Sequence, residues 1–386
     1  MRAGAFKAFY GGIAFLAVCV AGFLSGCASG HKQFVYVTGQ GTNEAFEFRQ
    51  QPNGSLTPLG TPNFPVGSNP SALIPHTSGD FLYTANFSGN DVILLDINAS
   101  NGNLSVPVSI SIVNPTNPNN VFATDIGPVS LVMSPTAPFL FVANQTSGDI
   151  SSYIVDPGSG SLTPKALTPV VQPPPPPAPP PPVSNPSSIA ISPKGDLLFV
   201  ANATQGTVAV LTVDSNGVLG YAAGSPFSVG TGATPTSIAV DHSGRFLYVT
   251  DPAHNAVVGF TIQGGGVLSP INGSPFAAGA APVGLGIDPQ GALLYVANNG
   301  SNNVSAYAID SSSGALGVVT GSPFPTGGVG PSAVAVDPET SFVYVTEQAS
   351  HDIAAFNIAS NGALQAVKGS PFGVATAATA ITVVRR

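Results

Sequence analysis

One pattern returns seven times along the chain and limits the fold more than any other feature. An apolar run with an aromatic centre, followed by a polar turn, occurs at Phe34–Gly39, Phe81–Asn86, Phe139–Asn144, Leu197–Asn202, Phe246–Asp251, Leu293–Asn298 and Phe342–Glu347. The third position is aromatic in every copy: Tyr36, Tyr83, Phe141, Phe199, Tyr248, Tyr295 and Tyr344, at successive spacings of 47, 58, 58, 49, 47 and 49 residues. Such a period marks stacked supersecondary units, none of which buries its apolar faces alone.

Each unit reads as four strands. Upstream of the aromatic run, segments such as 186–192 (PSSIAIS), 235–241 (PTSIAVD) and 331–337 (PSAVAVD) alternate branched with small residues, the period of a strand. The aromatic run is apolar at nearly every position, as in a strand buried on both faces. A third strand follows, such as 207–213 (TVAVLTV), and a less regular fourth ends in Gly-Ser-Pro-Phe at 224–227, 273–276, 321–324 and 369–372. Proline fits there only on an edge. Small residues on the innermost strand and proline on the outermost predict an all-β fold, a seven-bladed β-propeller of four-stranded antiparallel blades. The first copy lacks an inner strand, and 379–384 (TAITVV) reads as an inner strand with no blade after it. The N- and C-terminal strands are therefore expected to share one blade, which closes the ring and removes open sheet edges.

The two long spacings contain insertions. One covers about Asn114–Gly127. The other, 172–184, holds nine prolines within 173–182 and reads as an extended polyproline II loop between blades three and four. The remaining departure is at the start. Arg2 and Lys7 precede an apolar run from Gly11 to Phe23, then Leu24-Ser25-Gly26-Cys27. The run is too short to span a bilayer comfortably and has the shape of a secretory signal. Its end resembles a bacterial lipoprotein signal, which implies lipid attachment at Cys27 and a membrane partner through that lipid. The expected organisation is a signal at 1–26, a tether at 27–33 and a propeller at 34–384, held at the bacterial cell envelope.

Only 7% of residues are charged, and outside the first 26 residues 8 basic groups stand against 18 acidic ones. That balance excludes a nucleic-acid groove. Two cysteines, one of them in the leader, exclude a disulfide framework and a zinc knuckle. No P-loop, nucleophile elbow or dinucleotide fingerprint occurs in a suitable context, and no cofactor is expected.

Tyr-Val-Thr and Tyr-Val-Ala-Asn, followed by a polar turn and a Val-rich strand, resemble the YVTN-repeat propellers. They also resemble the wider lactonase-like seven-bladed family that includes 6-phosphogluconolactonase. Val296-Ala297-Asn298 with Asn302-Asn303-Val304-Ser305-Ala306-Tyr307 is close to that family's blade pattern. The resemblance covers about 34–384. It implies a ligand-facing rim where the turns between second and third strands meet the connections between blades, and lactone hydrolysis as the activity.

Polar residues that recur in register read as turn formers: Ser134, Ser192, Asp241, Asp288 and Asp337 after the inner strand, and Asp156, Asp214 and Asp310 after the third. Residues that break the register are the candidates for chemistry. On the rim these are Glu44 in blade one, Asp251 and His254 in blade five, and Glu347 and His351 in blade seven, with Asp125 on an interblade connection. A carboxylate beside an imidazole suits a general base acting on water. The blades that carry them are separate, so no common metal site is expected. Gripping a sugar phosphate needs Arg or Lys, yet Lys32, Arg49, Lys165, Lys194, Arg245, Lys368, Arg385 and Arg386 all fall outside the rim. The expectation is therefore an envelope-anchored, noncatalytic scaffold binding a protein, peptide or glycan. Its rival is a lactone hydrolase that uses the rim carboxylates and histidines on an uncharged substrate.

Overall fold

The computed structural model describes residues 32–60, 63–107, 120–169 and 185–386. The leader with Cys27, His31 and the proline-rich 172–184 stretch lie outside the described residues. Lys32–Arg386 forms one compact unit.

Seven separate antiparallel sheets follow one plan. In blade 6, for example, Pro282–Ile287, Leu293–Asn298, Asn303–Ile309 and Leu316–Val318 pair in chain order from the innermost strand outward. The outer position is usually split. A second short strand, here Phe324–Pro325, pairs with the other end of the third strand. The serine of each Gly-Ser-Pro-Phe lies at that split, and its hydroxyl accepts a third-strand amide: Val210 to Ser225, Gly259 to Ser274, Ala306 to Ser322 and Ala355 to Ser370, at 2.8–3.0 Å. A proline beside it has no amide to leave unpaired, as an edge requires.

Blade 1 is shared by the two ends of the chain. Ala378–Arg385 is its inner strand, paired along its length with Gln33–Gly39, which pairs in turn with Glu44–Gln50. Of the insertion expected over Asn114–Gly127, residues 114–119 lie outside the described residues. Val121–Ala123 is an outer strand of blade 2 paired with Asp91–Ile97, and Ile126 and Gly127 belong to an ordinary interblade connection.

The blades are locked by three recurring hydrogen bonds as well as by apolar packing. Near the axis, an inner-strand hydroxyl donates to the first carbonyl of the next inner strand. Thr379, Ser71, Ser187, Thr236 and Ser332 reach Pro70, Pro128, Pro235, Pro282 and Ala378; Val129 and Val283 take the position in the other two blades. Further out, each buried tyrosine of the aromatic run donates to a glycine carbonyl in the next blade's outer hairpin: Tyr36 to Gly102, Tyr83 to Gly160, Tyr248 to Gly314, Tyr295 to Gly362 and Tyr344 to Gly54. These glycines have positive φ and leave no room for a Cβ; one on Gly54 would stand 2.3 Å from the Phe342 ring. At the rim, Asn43, Asn90, Asn255 and Asn302 accept an amide of the following connection, at Asn69, Gly127, Ala281 and Gly330.

The aspartates assigned to turns do that work. Asp241 accepts three backbone amides of its own turn and Asp288 and Asp337 two each, and Asp156, Asp214 and Asp310 accept two each after the third strand. Ser134 is the exception, with a hydroxyl that makes no hydrogen bond.

Candidate functional site

The rim is built where the second strand of each blade ends. The residue just beyond it donates its amide to the connection entering the same blade, as Gln145 does to Gly127 and Gln348 to Gly330. Turns and connections therefore share one face. At the turn's mouth, the last residue of the second strand stands opposite the first of the third. In four blades an asparagine amide closes this pair: Asn86 to Asp91, Asn144 to Asp149, Asn202 to Thr207 and Asn298 to Asn303, at 2.7, 2.7, 3.4 and 2.8 Å. The pattern breaks at Gly39 with Glu44, Asp251 with Ala256, and Glu347 with Asp352. These are the three blades that carry the candidate side chains.

In blade 5 the two candidates come together. Asp251 is buried, and its Oδ1 accepts the Thr234 amide at 3.0 Å. Its Oδ2 lies 2.6 Å from Nδ1 of His254. A single 3-10 turn, Pro252–His254, closed by Asn255 in the left-handed region, folds the histidine back onto the carboxylate. The imidazole is 49% exposed while the carboxylate is 3% exposed, so the aspartate is enclosed and the far edge of the ring meets solvent. A carboxylate fixed by backbone holds an imidazole in one tautomer and orientation, the arrangement of an oriented general base.

Blade 7 differs. Glu347 is fully buried, and its carboxyl faces that of Asp352, with the Thr326 hydroxyl and the Gly328 amide beside it. Gly328 of the incoming connection lies so close that a Cβ there would stand 2.1 Å from Oε2. Burial first, and the facing Asp352 carboxyl second, push Glu347 up to about 8. His351 does not join it. Its backbone takes the left-handed position that asparagine or glycine fills in sister blades (φ 60°), and its exposed side chain makes no hydrogen bond. Glu44 is half-buried and accepts the Asn63 amide at 3.1 Å. Asp125 sits beside Asp149, which burial, opposed by the Asn144 amide and reinforced by Asp125, raises to about 6.

The candidates thus remain distributed over the rim. Among the described residues no three His, Cys, Asp or Glu side chains gather to hold a metal. Among the described residues the rim carries seven carboxyl residues: Glu44, Asp91, Asp125, Asp149, Asp251, Glu347 and Asp352. Among the described residues it carries no lysine or arginine; those lie at the opposite turns and strand ends, apart from Lys368 on an outer edge. Four neutral amides, Gln40, Gln145, Asn299 and Gln348, follow the second strands beside the inner strands, and Gln348 donates to Gln40 at 3.5 Å. Their position one residue after each aromatic run was visible in the repeat, but the meeting of Gln348 with Gln40 needed the closed ring.

Glu47 is a buried carboxyl that the register also singles out. Its counterparts opposite the central aromatic residue are Leu94, Ser152, Val210, Gly259, Ala306 and Ala355. Burial, eased by the Leu104 amide, raises it to about 7. It faces blade 2 away from the rim.

Residues 226–323 match the family model described as "Lactonase, 7-bladed beta-propeller". The chain is a seven-bladed β-propeller, and over those residues it is similar to this family. No curated protein matches it. Among solved structures, it superposes on a protein of Bacteroides fragilis assigned as a 6-phosphogluconolactonase with a TM-score of 0.77 and 20% identity, over 93% of this chain and 99% of that one. The periplasmic gluconolactonase of Pseudomonas aeruginosa gives a TM-score of 0.74 at 21% identity, over 92% and 99%. A Bacteroides uniformis protein with the same assignment as the first gives 0.74 at 18%, over 92% and 99%. At these identities the likeness is one of fold. No helix among the described residues is long and apolar enough to cross a membrane.

Proposed function

We propose that this lactonase-like propeller hydrolyses an unphosphorylated lactone at its rim, with His254 as the base and Asp251 as the group that orients it. The 2.6 Å contact between a buried, backbone-held carboxylate and a half-exposed imidazole carries this reading. With Nδ1 engaged by Asp251, the other ring nitrogen takes a proton from water as the water oxygen bonds to the lactone carbonyl. The ring C–O bond then breaks, and the proton passes to the departing alkoxide, leaving a hydroxy acid. A rim of seven carboxyl residues with no lysine or arginine repels a phosphate, so the substrate is neutral. The amides of Gln40, Gln145, Asn299 and Gln348 suit the hydroxyls of such a substrate. The same family fold in a periplasmic gluconolactonase is in keeping with this chemistry.

We also assign the chain to the bacterial envelope, anchored by lipid on Cys27; the Leu24-Ser25-Gly26-Cys27 sequence supports this. Metabolic labelling with a fatty acid should mark the protein, and Cys27→Ser should abolish the label. Unlabelled wild type defeats the anchoring.

The purified protein should open glucono-lactone above the spontaneous rate and leave a phosphorylated lactone nearly untouched. His254→Ala should lower kcat by roughly a hundredfold or more, and Asp251→Asn should lower it with little change in KM. One observation favours the rival reading, a noncatalytic scaffold for a protein, peptide or glycan: the rim offers no cationic side chain to a developing oxyanion. Wild-type protein with no turnover above background decides for the scaffold.

A further inference from the structure

The position opposite the first residue of each aromatic run is held by Asp96, Ile154, Thr212, Thr261, Ala308 and Asn357 in blades 2 to 7. In blade 1 it is Arg49, opposite Phe34. Lys194 is exposed on its turn, and the remaining cations described on this side of the ring are engaged. Lys32 donates to the Ser100 carbonyl, Lys165 to that of Asn216 and Arg245 to that of Ser311, each in the next blade's outer hairpin. Arg385 faces Glu339 and Arg386 pairs with Asp80. Arg49 is the described arginine whose guanidinium has neither hydrogen bond nor ion pair. Its Nε is buried without a partner, and its guanidinium carbon lies 5.8 Å from the centroid of the Phe34 ring, which props the side chain in place. Glu47, two residues along the same strand, is turned to the Leu104 amide.

Arg49 borders a recess of about 320 Å³ between blades 1 and 2, together with Gln51, Pro58, Leu59, Asn101 and Asn103. The volume is at the small end of the range for ligand pockets, roughly 300–1,000 Å³. A guanidinium held half-dry without a counter-ion is costly, and a rigid planar fork suits an oxyanion better than any neutral group does. Three amide side chains supply donors and acceptors for hydroxyls, and Pro58 with Leu59 offers an apolar wall.

We propose that this recess, on the side of the ring away from the rim, binds a sugar-sized anion, with Arg49 on its carboxylate or phosphate group and Gln51, Asn101 and Asn103 on its hydroxyls. The site is independent of the lactone reading, and neither stands or falls with the other.

Calorimetric titration of the full chain with glucuronate, glucose 6-phosphate and glucose tests it and separates the two anion chemistries. At least one of the two anions should bind, more weakly as salt is raised, and glucose at least about tenfold more weakly, as loss of one charge-assisted contact requires. Arg49→Gln should reduce anion affinity at least about tenfold at an unchanged melting temperature. Asn101→Asp, on an exposed hairpin, keeps the arginine but gives it an internal counter-ion, and should abolish anion binding even if Arg49→Gln folds poorly. No binding of either anion to the parent, equal binding of glucose, or full binding by Asn101→Asp would overturn the proposal.

Discussion

At the scale of single residues, the repeat supplies its own controls, because six sister positions show what each odd residue replaced. Glu347 stands where four blades place asparagine. There the amide donates to the residue across the turn; here a carboxyl faces the Asp352 carboxyl, and the pair is held together only while one of them keeps a proton. The consequence is a pH dependence of stability. The folded protein holds the Glu347 proton to about 8, whereas an unfolded glutamate releases it near about 4.3. The native state then binds more protons than the unfolded state across that window, so stability falls as pH rises through it and levels off above the folded value. Glu347→Asn rebuilds the sister-blade contact with Asp352. It should be nearly neutral at pH 4, where both states keep the proton, and should stabilise by more than about 1 kcal/mol at pH 8. Chemical denaturation across pH checks it, and a variant no more stable than wild type at pH 8 would show that the pair is already satisfied.

At the scale of elements, most of the architecture was legible because both faces of every second strand are buried, so an uninterrupted apolar run recurs wherever a blade recurs. The aromatic third position was equally plain, but its reason was not. Tyr344 needs a hydroxyl because Gly54, 290 residues earlier in the chain, presents a carbonyl beneath it, and no local pattern reports a partner so distant. The turn aspartates were readable for the opposite reason, since their partners lie two to five residues away. The candidate site divides along the same line. Asp251 and His254 meet because three residues of 3-10 turn bring them together, a local event. Glu347 and His351, with nearly the same spacing and chemistry, separate. The glutamate ends a strand and is pressed under Gly328 of the incoming connection, while the histidine occupies the left-handed corner and turns to solvent. Arg49 was visible as a cation outside the rim, but the recess beside it exists only because blade 2 packs against blade 1.

At the scale of the whole molecule, stability rests on a single closure. Six blades are each continuous in sequence; blade 1 is not, and its inner strand arrives from the far end of the chain. Removing 379–386 strips the pairing partner from Gln33–Gly39. It also deletes the Thr379 hydroxyl that reaches Thr38 and Pro70, and takes Ile381, Val383 and Val384 out of the cores on either side of the blade. Three buried aliphatic side chains at about 1.5–3 kcal/mol each come to roughly 5–9 kcal/mol, which rivals the whole stability of a typical domain. The exposed edge would consist of buried apolar residues, Val35 and Val37 among them, and invite association between chains. The truncated protein should therefore be unfolded or aggregated at temperatures where the parent is native. The terminal ion pair is a useful contrast, because Asp80 is half exposed. Asp80→Asn, which weakens Arg386 but leaves the strand, should cost less than about 1 kcal/mol. Melting curves of the two variants separate strand closure from surface charge, and a truncated protein that melts with the parent would mean that seven blades hold together without their clasp.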